Sequence, residues 1–330
     1  MSEAEDDKRR GGFSHYSRPA SGTQAARELS AREALPMGGG TDLLVSLEEG
    51  FVTADTVVDL RAIPDSDAIT TQPDGSIRIG ASARIQDIAS HRSISERYRA
   101  LADACAAVGT PALREMGTIG GNLCQRPRCW YLRRGVSCFK SGGDSCPARE
   151  GENQYHAILE GGPCYIVHPS DPAVALTALE AAVEITGIDG VRTLPIAEFY
   201  VTPRERLDRE TILGQGEFVS GVVLPEFSAG GVQRYTKLMQ RGAWDFALVS
   251  AAAVRRRDGA VRIVLGGVAP RPWRVPESLE EDVSAGKLDA DAIEVIAERA
   301  LYDAEPLSKN GYKVKLAEAL IRRSIAELLS

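Results

Sequence analysis

Pro36-Met37-Gly38-Gly39-Gly40-Thr41-Asp42-Leu43-Leu44 and Gly117-Thr118-Ile119-Gly120-Gly121-Asn122-Leu123 are the two stretches whose reading decides the fold. Three consecutive glycines suit neither a helix interior nor a strand, because glycine loses the most backbone entropy and packs no side chain. Each stretch therefore predicts a tight turn with exposed backbone. Successive N–H groups in such a turn form a nest that binds anions, a pyrophosphate among them. Neither stretch has the G-x-G-x-x-G spacing of the dinucleotide fingerprint, and either one alone reads as a tight turn and nothing more. Their pairing makes them informative.

Working outward, the pattern predicts a helix over Thr23–Ala34, strands at Thr56–Leu60 and Ile77–Ile79, and helices at Ile85–His91 and Ile94–Val108. Ser170-Asp171-Pro172 predicts a capped helix start leading into Ala173–Ala181. Strands Ala182–Thr186 and Glu217–Leu224 follow, with Pro225 as a boundary and 226–231 as a linker. Beyond the linker come strands near Val232–Met239, Ala247–Arg255 and Ala260–Gly266, then helices at Asp289–Leu301 and Val314–Leu329. A strand run followed by helices is an α+β layout.

A chain of 330 residues predicts two or three domains. At 43% hydrophobic and 26% charged it has the composition of a globular protein, and a net charge of −7 gives a nucleic-acid partner no support. Apolar runs such as Ala247 to Val254 are too short for membrane insertion. Residues 1–12 read as a disordered leader, with no apolar core behind Lys8-Arg9-Arg10 to make an export signal. No Ser/His/Asp order, paired carboxylates or P-loop appears, so no catalytic residue is expected.

Five of six cysteines fall within 41 residues, spaced Cys124-x4-Cys129-x8-Cys138-x7-Cys146-x17-Cys164, in a stretch whose only helical hint is Tyr155–Leu159. So long an irregular segment is uncommon unless functional or cross-linked. The absence of C-x2-C argues against a zinc ribbon, and Cys124-x4-Cys129 lacks the third member of a plant-type [2Fe–2S] set. Four thiolates from a flexible loop still suit a cubane [4Fe–4S] cluster. The bland alternative is a set of reduced structural thiols, which is the reading for Cys105 on its Ala-rich helical stretch. His156 and His168 flank Cys164 and read as structural, with a histidine ligand as the alternative, and Trp130 and Tyr131 read as packing over the cluster in preference to stacking on a flavin. Arg126, Arg128, Arg133 and Arg134 either balance its charge or form a solvated basic loop.

The paired glycine stretches, followed by Ser170-Asp171 and by Tyr235-Thr236-Lys237 with Arg241 and Asp245, resemble the FAD-carrying medium subunit of the xanthine dehydrogenase and carbon monoxide dehydrogenase family. The resemblance spans residues 13–330. It implies a two-part FAD-binding domain of the vanillyl-alcohol-oxidase (PCMH) type over 13–225, carrying the loop 124–164, and a small α+β C-terminal domain of the CO dehydrogenase flavoprotein type over 232–330. It also implies cofactor contacts. Pro36, Met37, Gly38, Gly39, Gly40, Thr41, Asp42 and Leu43, with Thr118, Ile119, Gly121 and Asn122, would embrace the FAD diphosphate. Asp171 would hold the adenosine side, and Lys237 would lie near the flavin ring.

Gln125-Arg126-Pro127-Arg128-Cys129-Trp130-Tyr131, Gly143-Asp144-Ser145-Cys146 and Gly162-Pro163-Cys164 resemble an insertion in one branch of that family, which holds an additional cluster. That likeness implies Cys129, Cys138, Cys146 and Cys164 as [4Fe–4S] ligands, with Cys124 the substitute should Cys164 prove wrong. The implied function is electron transfer within a molybdenum hydroxylase complex. Substrate would be oxidised on a molybdopterin-binding large subunit, and electrons would pass through a [2Fe–2S] small subunit to FAD here and on to an external acceptor. The short Cys129–Cys138 segment favours an aldehyde-oxidising complex over one resembling 4-hydroxybenzoyl-CoA reductase, with a xanthine dehydrogenase-like complex as a further alternative. A standalone flavin or metal-binding structural protein is the reading from another class. The expected location is the cytoplasm, with export on a partner's signal as the alternative.

Overall fold

Val57 and Val58 are fully buried, and around them the chain builds its first sheet. The computed structural model describes residues 12–242, 244–286 and 288–330; the expected leader, but for Gly12, lies outside the described residues. Strands β1 (His15–Ser17), β2 (Ala34–Met37) and β3 (Thr56–Asp59) form a parallel sheet ordered β1-β3-β2. β3 is its centre, covered on both faces, which is why two adjacent valines are both inside. The second sheet is antiparallel, ordered β4-β5-β8-β6-β7, from β4 (Ile69–Thr71), β5 (Ile77–Gly80), β6 (Ala182–Gly187), β7 (Gly190–Pro195) and β8 (Phe218–Leu224).

The third sheet is also antiparallel, ordered β12-β11-β10-β9, from β9 (Val232–Leu238), β10 (Val249–Arg255), β11 (Val261–Gly266) and β12 (Trp273–Arg274). Strand period splits β10 between two cores. Ala252 and Val254 join the core of the first part of the chain, whereas Val249, Ala251 and Ala253 join the C-terminal core. On the first side lies the helix Asp171–Ala178, every residue of which is buried. On the other lies the closing helix Tyr312–Leu329. This sandwich sets the site, because it brings the start of the Asp171 helix against β9.

Departures from the sequence pattern have local causes. The helix expected over Thr23–Ala34 stops at Leu29, because Glu33 takes a left-handed φ of 63° and Ala34 opens β2. The long helix expected from Ile94 breaks at Tyr98, whose ring is fully buried and whose hydroxyl donates to the Pro225 carbonyl at 3.0 Å. Residues 155–159 are not helical. β7 and the helix Glu277–Ser284 were not expected; β7 is an almost wholly exposed edge strand, so it carries no hydrophobic period.

The 155–159 segment is non-helical because its carbonyls face the C-terminal domain. Lys313 is fully buried and its Nζ donates to the carbonyls of Tyr155 (2.9 Å), His156 (3.1 Å) and Gly267 (2.7 Å). Asn310 Nδ2 donates to the carbonyls of His156 and Ala157, each at 3.1 Å. Burial pulls the Lys313 pKa from its ordinary 10.5 down to about 7. Between those two values the folded chain binds fewer protons than the unfolded one, so this residue makes stability rise with pH across that window. Urea denaturation should therefore show wild type gaining on Lys313→Met by up to about 1.4 kcal/mol per pH unit from about pH 7.5 to 9.5. A difference that stays flat with pH would remove the linkage.

Candidate functional site

The two glycine turns lie against each other. A Cβ on Gly39 would stand 1.7 Å from the Met116 carbonyl oxygen, and one on Gly38 would stand 2.3 Å from Thr118 Oγ1. Glycine is required at both positions so that one turn can pack on the other, which is a tighter demand than exposing backbone. Thr118 holds the second turn in shape by accepting the Gly121 N–H at 3.3 Å and so capping the short helix Ile119–Leu123.

Between the turns runs a groove of about 520 Å³. Pro36, Gly38, Gly39, Gly40, Thr41, Asp42 and Leu43 line it from the first turn, and Thr118, Gly121 and Asn122 from the second. Asp171 and Lys237 line it as well. Met37 and Ile119 do not; both are buried and belong to hydrophobic clusters beneath the turns. Residues the sequence reading did not single out complete the walls: Ile85, Val108, Gly109 and Leu113 on one flank, Trp244 and Phe246 on the other. No local pattern marks them, since they come from separated segments, Ile85, 108–113 and 244–246. A glycine-walled groove with apolar flanks and a cation at its base fits a flavin dinucleotide.

Asp171 and Lys237 meet. Lys237 Nζ lies 2.8 Å from Asp171 Oδ2 and donates also to the Ala107 carbonyl at 3.0 Å, while the Tyr235 hydroxyl donates to Asp171 Oδ1 at 2.6 Å. Burial raises the Asp171 pKa, and Lys237 and Tyr235 oppose that rise. The same burial, with the neighbouring carboxylate, pushes the Tyr235 phenol well above its ordinary range. Since the ammonium and carboxylate touch, both address one part of whatever fills the groove. Ser170 ties this group to the second turn: its hydroxyl donates to Asn122 Oδ1 at 2.6 Å and accepts the Ala173 N–H at 3.1 Å.

Asp42 stands at the start of the helix Leu43–Glu48 but does not cap it. Its carboxylate turns instead to the cysteine-bearing loop, taking Arg128 Nη1 at 2.9 Å, Arg133 Nη2 at 2.8 Å and the Arg126 N–H at 2.9 Å. Arg126 itself reaches Glu210 at 3.0 Å. Burial draws the Arg128 guanidinium down to about 10, opposed by the charge of Asp42. These arginines are thus neither a counterion shell for a cluster nor a solvated patch; three of them hold the loop onto the first turn and its surroundings.

The iron–sulfur expectation is overturned. Among the described residues no group of three or more His, Cys, Asp or Glu is arranged to hold a metal ion. Cys129, Cys138, Cys146 and Cys164 line one small cavity, but it measures about 10 Å³, room for about one water and not for the eight atoms of a cubane core. The sulfurs also have protein partners. Cys129 Sγ lies 3.4 Å from His156 Nε2, Ser141 Oγ donates to Cys138 Sγ at 3.4 Å, and the Cys164 thiol hydrogen-bonds Cys146, holding the latter down to about 6. Cys124, the substitute ligand, packs against the main core, where burial pushes its thiol up to about 12. Cys105 is fully buried in that core. Trp130 and Tyr131 pack on His156 rather than over a cluster, with ring centroids 6.0 and 6.2 Å away.

Losing the Asp42 carboxylate removes the counter-charge shared by two partly buried guanidiniums. Asp42→Ala should cost about 2–3 kcal/mol in urea unfolding. Glu49→Ala, which removes only a half-exposed partner 3.5 Å from Arg133, should cost under about 0.5 kcal/mol. Equal effects of the two would refute the brace.

Comparison with known proteins agrees with this architecture. Residues 11–227 match the model of the FAD binding domain in molybdopterin dehydrogenase, and residues 234–328 that of the CO dehydrogenase flavoprotein C-terminal domain. The aldehyde oxidoreductase FAD-binding subunit PaoB of Escherichia coli is 34% identical over 312 residues, covering 92% of this chain and 95% of that one. The solved carbon monoxide dehydrogenase of Hydrogenophaga pseudoflava superposes with a TM-score of 0.74 at 24% identity, covering 96% of this chain and 97% of the other. Quinoline 2-oxidoreductase of Pseudomonas putida gives 0.73 at 24%, over 96% and 97%. With two thirds of its length in the first of these models, the chain belongs to the FAD-binding medium-subunit family of the molybdenum hydroxylases, without the extra-cluster assignment, and is a flavin-binding oxidoreductase subunit with a two-part PCMH-like domain and a CO dehydrogenase flavoprotein-type C-terminal domain.

Proposed function

We propose that the chain carries FAD in the groove between its glycine turns and serves as the electron outlet of an aldehyde-oxidising molybdenum complex. The observation that carries this reading is the convergence of both turns on one groove with Lys237 at its base. In it, the backbone of Gly38 to Thr41, with Gly121 and Asn122, receives the diphosphate. Ile85, Val108 and Leu113 supply apolar contact. Lys237, held in place by Asp171, sets a positive charge where a reduced ring carries negative charge. When bound, FAD supplies the exchange between electron pairs and single electrons. The chain's own residues bind and orient it, and none performs acid–base work on the organic substrate.

Aldehyde as substrate class is supported by the name of the 34% identical relative, an aldehyde oxidoreductase subunit that aligns over almost the whole chain. In this reading the partners are a molybdopterin-binding large subunit and a [2Fe–2S] small subunit, with electrons leaving to an external acceptor.

Thr41 is exposed at the groove, so filling the space there leaves the core untouched. Thr41→Trp should lower the FAD content of the purified chain at least about tenfold while its melting temperature stays near that of the wild-type apoprotein. Full FAD occupancy in that variant would sink the groove. A tag on this chain, co-expressed with its neighbouring subunits, should recover flavin and molybdenum together and oxidise an aldehyde in preference to a purine. Recovery of the chain alone would sink the complex.

A further inference from the structure

Beside the groove lies a second cavity, of about 330 Å³, which the flavin reading leaves unused. The two spaces share Arg128, Pro169, Asp171, Asp245 and Phe246, so a single layer of side chains separates them. One wall is aromatic: Trp130 and Tyr155 meet edge to face with centroids 5.5 Å apart. Phe246, on the connection between β9 and β10, stands in the dividing layer, and Ile166, Val174 and Leu248 add apolar surface. Both arginines at this cavity are already paired, Arg128 with Asp42 at 2.9 Å and Arg241 with Asp245 through Nε at 3.0 Å. No lining cation is therefore spare for a phosphate or carboxylate, and the volume is at the lower end for a small-molecule site, well short of a second dinucleotide. Polar groups also line it: His156 and His168, whose Nδ1 and Nε2 respectively are buried without a hydrogen-bond partner, and the Tyr155 hydroxyl, which meets Gln240 Oε1 at 2.5 Å.

We propose that this cavity seats the external electron acceptor, and that the acceptor is an uncharged quinone of one or two rings. Trp130 packs on its plane while the Tyr155 ring borders its edge, and Gln240 Nε2, on the amide whose Oε1 takes the Tyr155 hydroxyl, donates to a quinone carbonyl. The proposal rests on the flavin reading for its source of electrons. The quinone takes up two electrons and two protons to become the hydroquinone, as reduced flavin in the adjoining groove returns to the oxidised state with loss of the same two electrons and two protons.

The test uses the FAD-loaded chain and a short-chain ubiquinone, whose fully substituted ring leaves no position for thiol addition. Calorimetry on the oxidised protein should show saturable one-to-one binding, accompanied by fluorescence quenching that Trp130→Phe removes. Ala247→Trp fills the cavity from a residue that does not line the groove. It should weaken quinone binding at least tenfold at unchanged FAD content, and slow reoxidation of the dithionite-reduced flavin by quinone but not by ferricyanide. Binding that never saturates, or that is equal in wild type and Ala247→Trp, overturns the proposal. Loss of FAD from Ala247→Trp also overturns it, by making the cavity part of the flavin's own seat. A wild-type chain that takes up no FAD instead overturns the flavin reading, with calorimetry still reporting on the cavity by itself.

Discussion

At Gly39 there is room for a hydrogen atom and for nothing larger, because the Met116 carbonyl occupies the place a Cβ would take. That contact brings together a turn from the parallel sheet and a turn from the body of the second sheet. The groove exists only because both backbones approach this closely. A side chain at either Gly38 or Gly39 would wedge the turns apart, and no repacking of flexible groups could absorb it, since the opposing atoms at Gly39 are backbone.

From that contact the site extends through polar links that depend on one another. Thr118 caps its own short helix, Asn122 accepts from Ser170, and Ser170 caps the helix that presents Asp171. Asp171 then pairs with Lys237 and Tyr235 across the boundary to the third sheet. A buried pair of this kind is weak evidence for stability but costly to break on one side, because the remaining charge has no solvent to turn to. The network therefore fixes geometry. It holds an ammonium at the base of the groove and keeps the two parts of the chain in register there.

The cysteine-bearing loop is a brace. Its arginines converge on Asp42, and its far end is pinned to the C-terminal domain by Lys313 and Asn310. The thiols satisfy one another or neighbouring His and Ser groups around a space the size of one water. Anchored at both ends, the loop also contributes Arg128 to the wall between the groove and the second cavity, beside Pro169, Asp171, Asp245 and Phe246.

Backbone chemistry was legible in the sequence by itself. The triple glycine had to be a turn and Ser170 followed by Pro172 had to start a helix, because each follows from local sterics, and the apolar runs of β9, β10 and β11 read as strands. Gly120 and Gly121, expected in a turn, lie instead in the short helix Ile119–Leu123 that Thr118 caps. The sequence also paired the two turns, through likeness to a family. Tertiary structure alone decided the partners. Asp42 looked like part of the cofactor turn and carries three contacts from a loop 84 to 91 residues away. Met37 and Ile119, inside the glycine motifs, face the core. Cysteine clustering along the chain could not say how much space their sulfurs would enclose, since that volume is set by packing between segments and not by spacing within one.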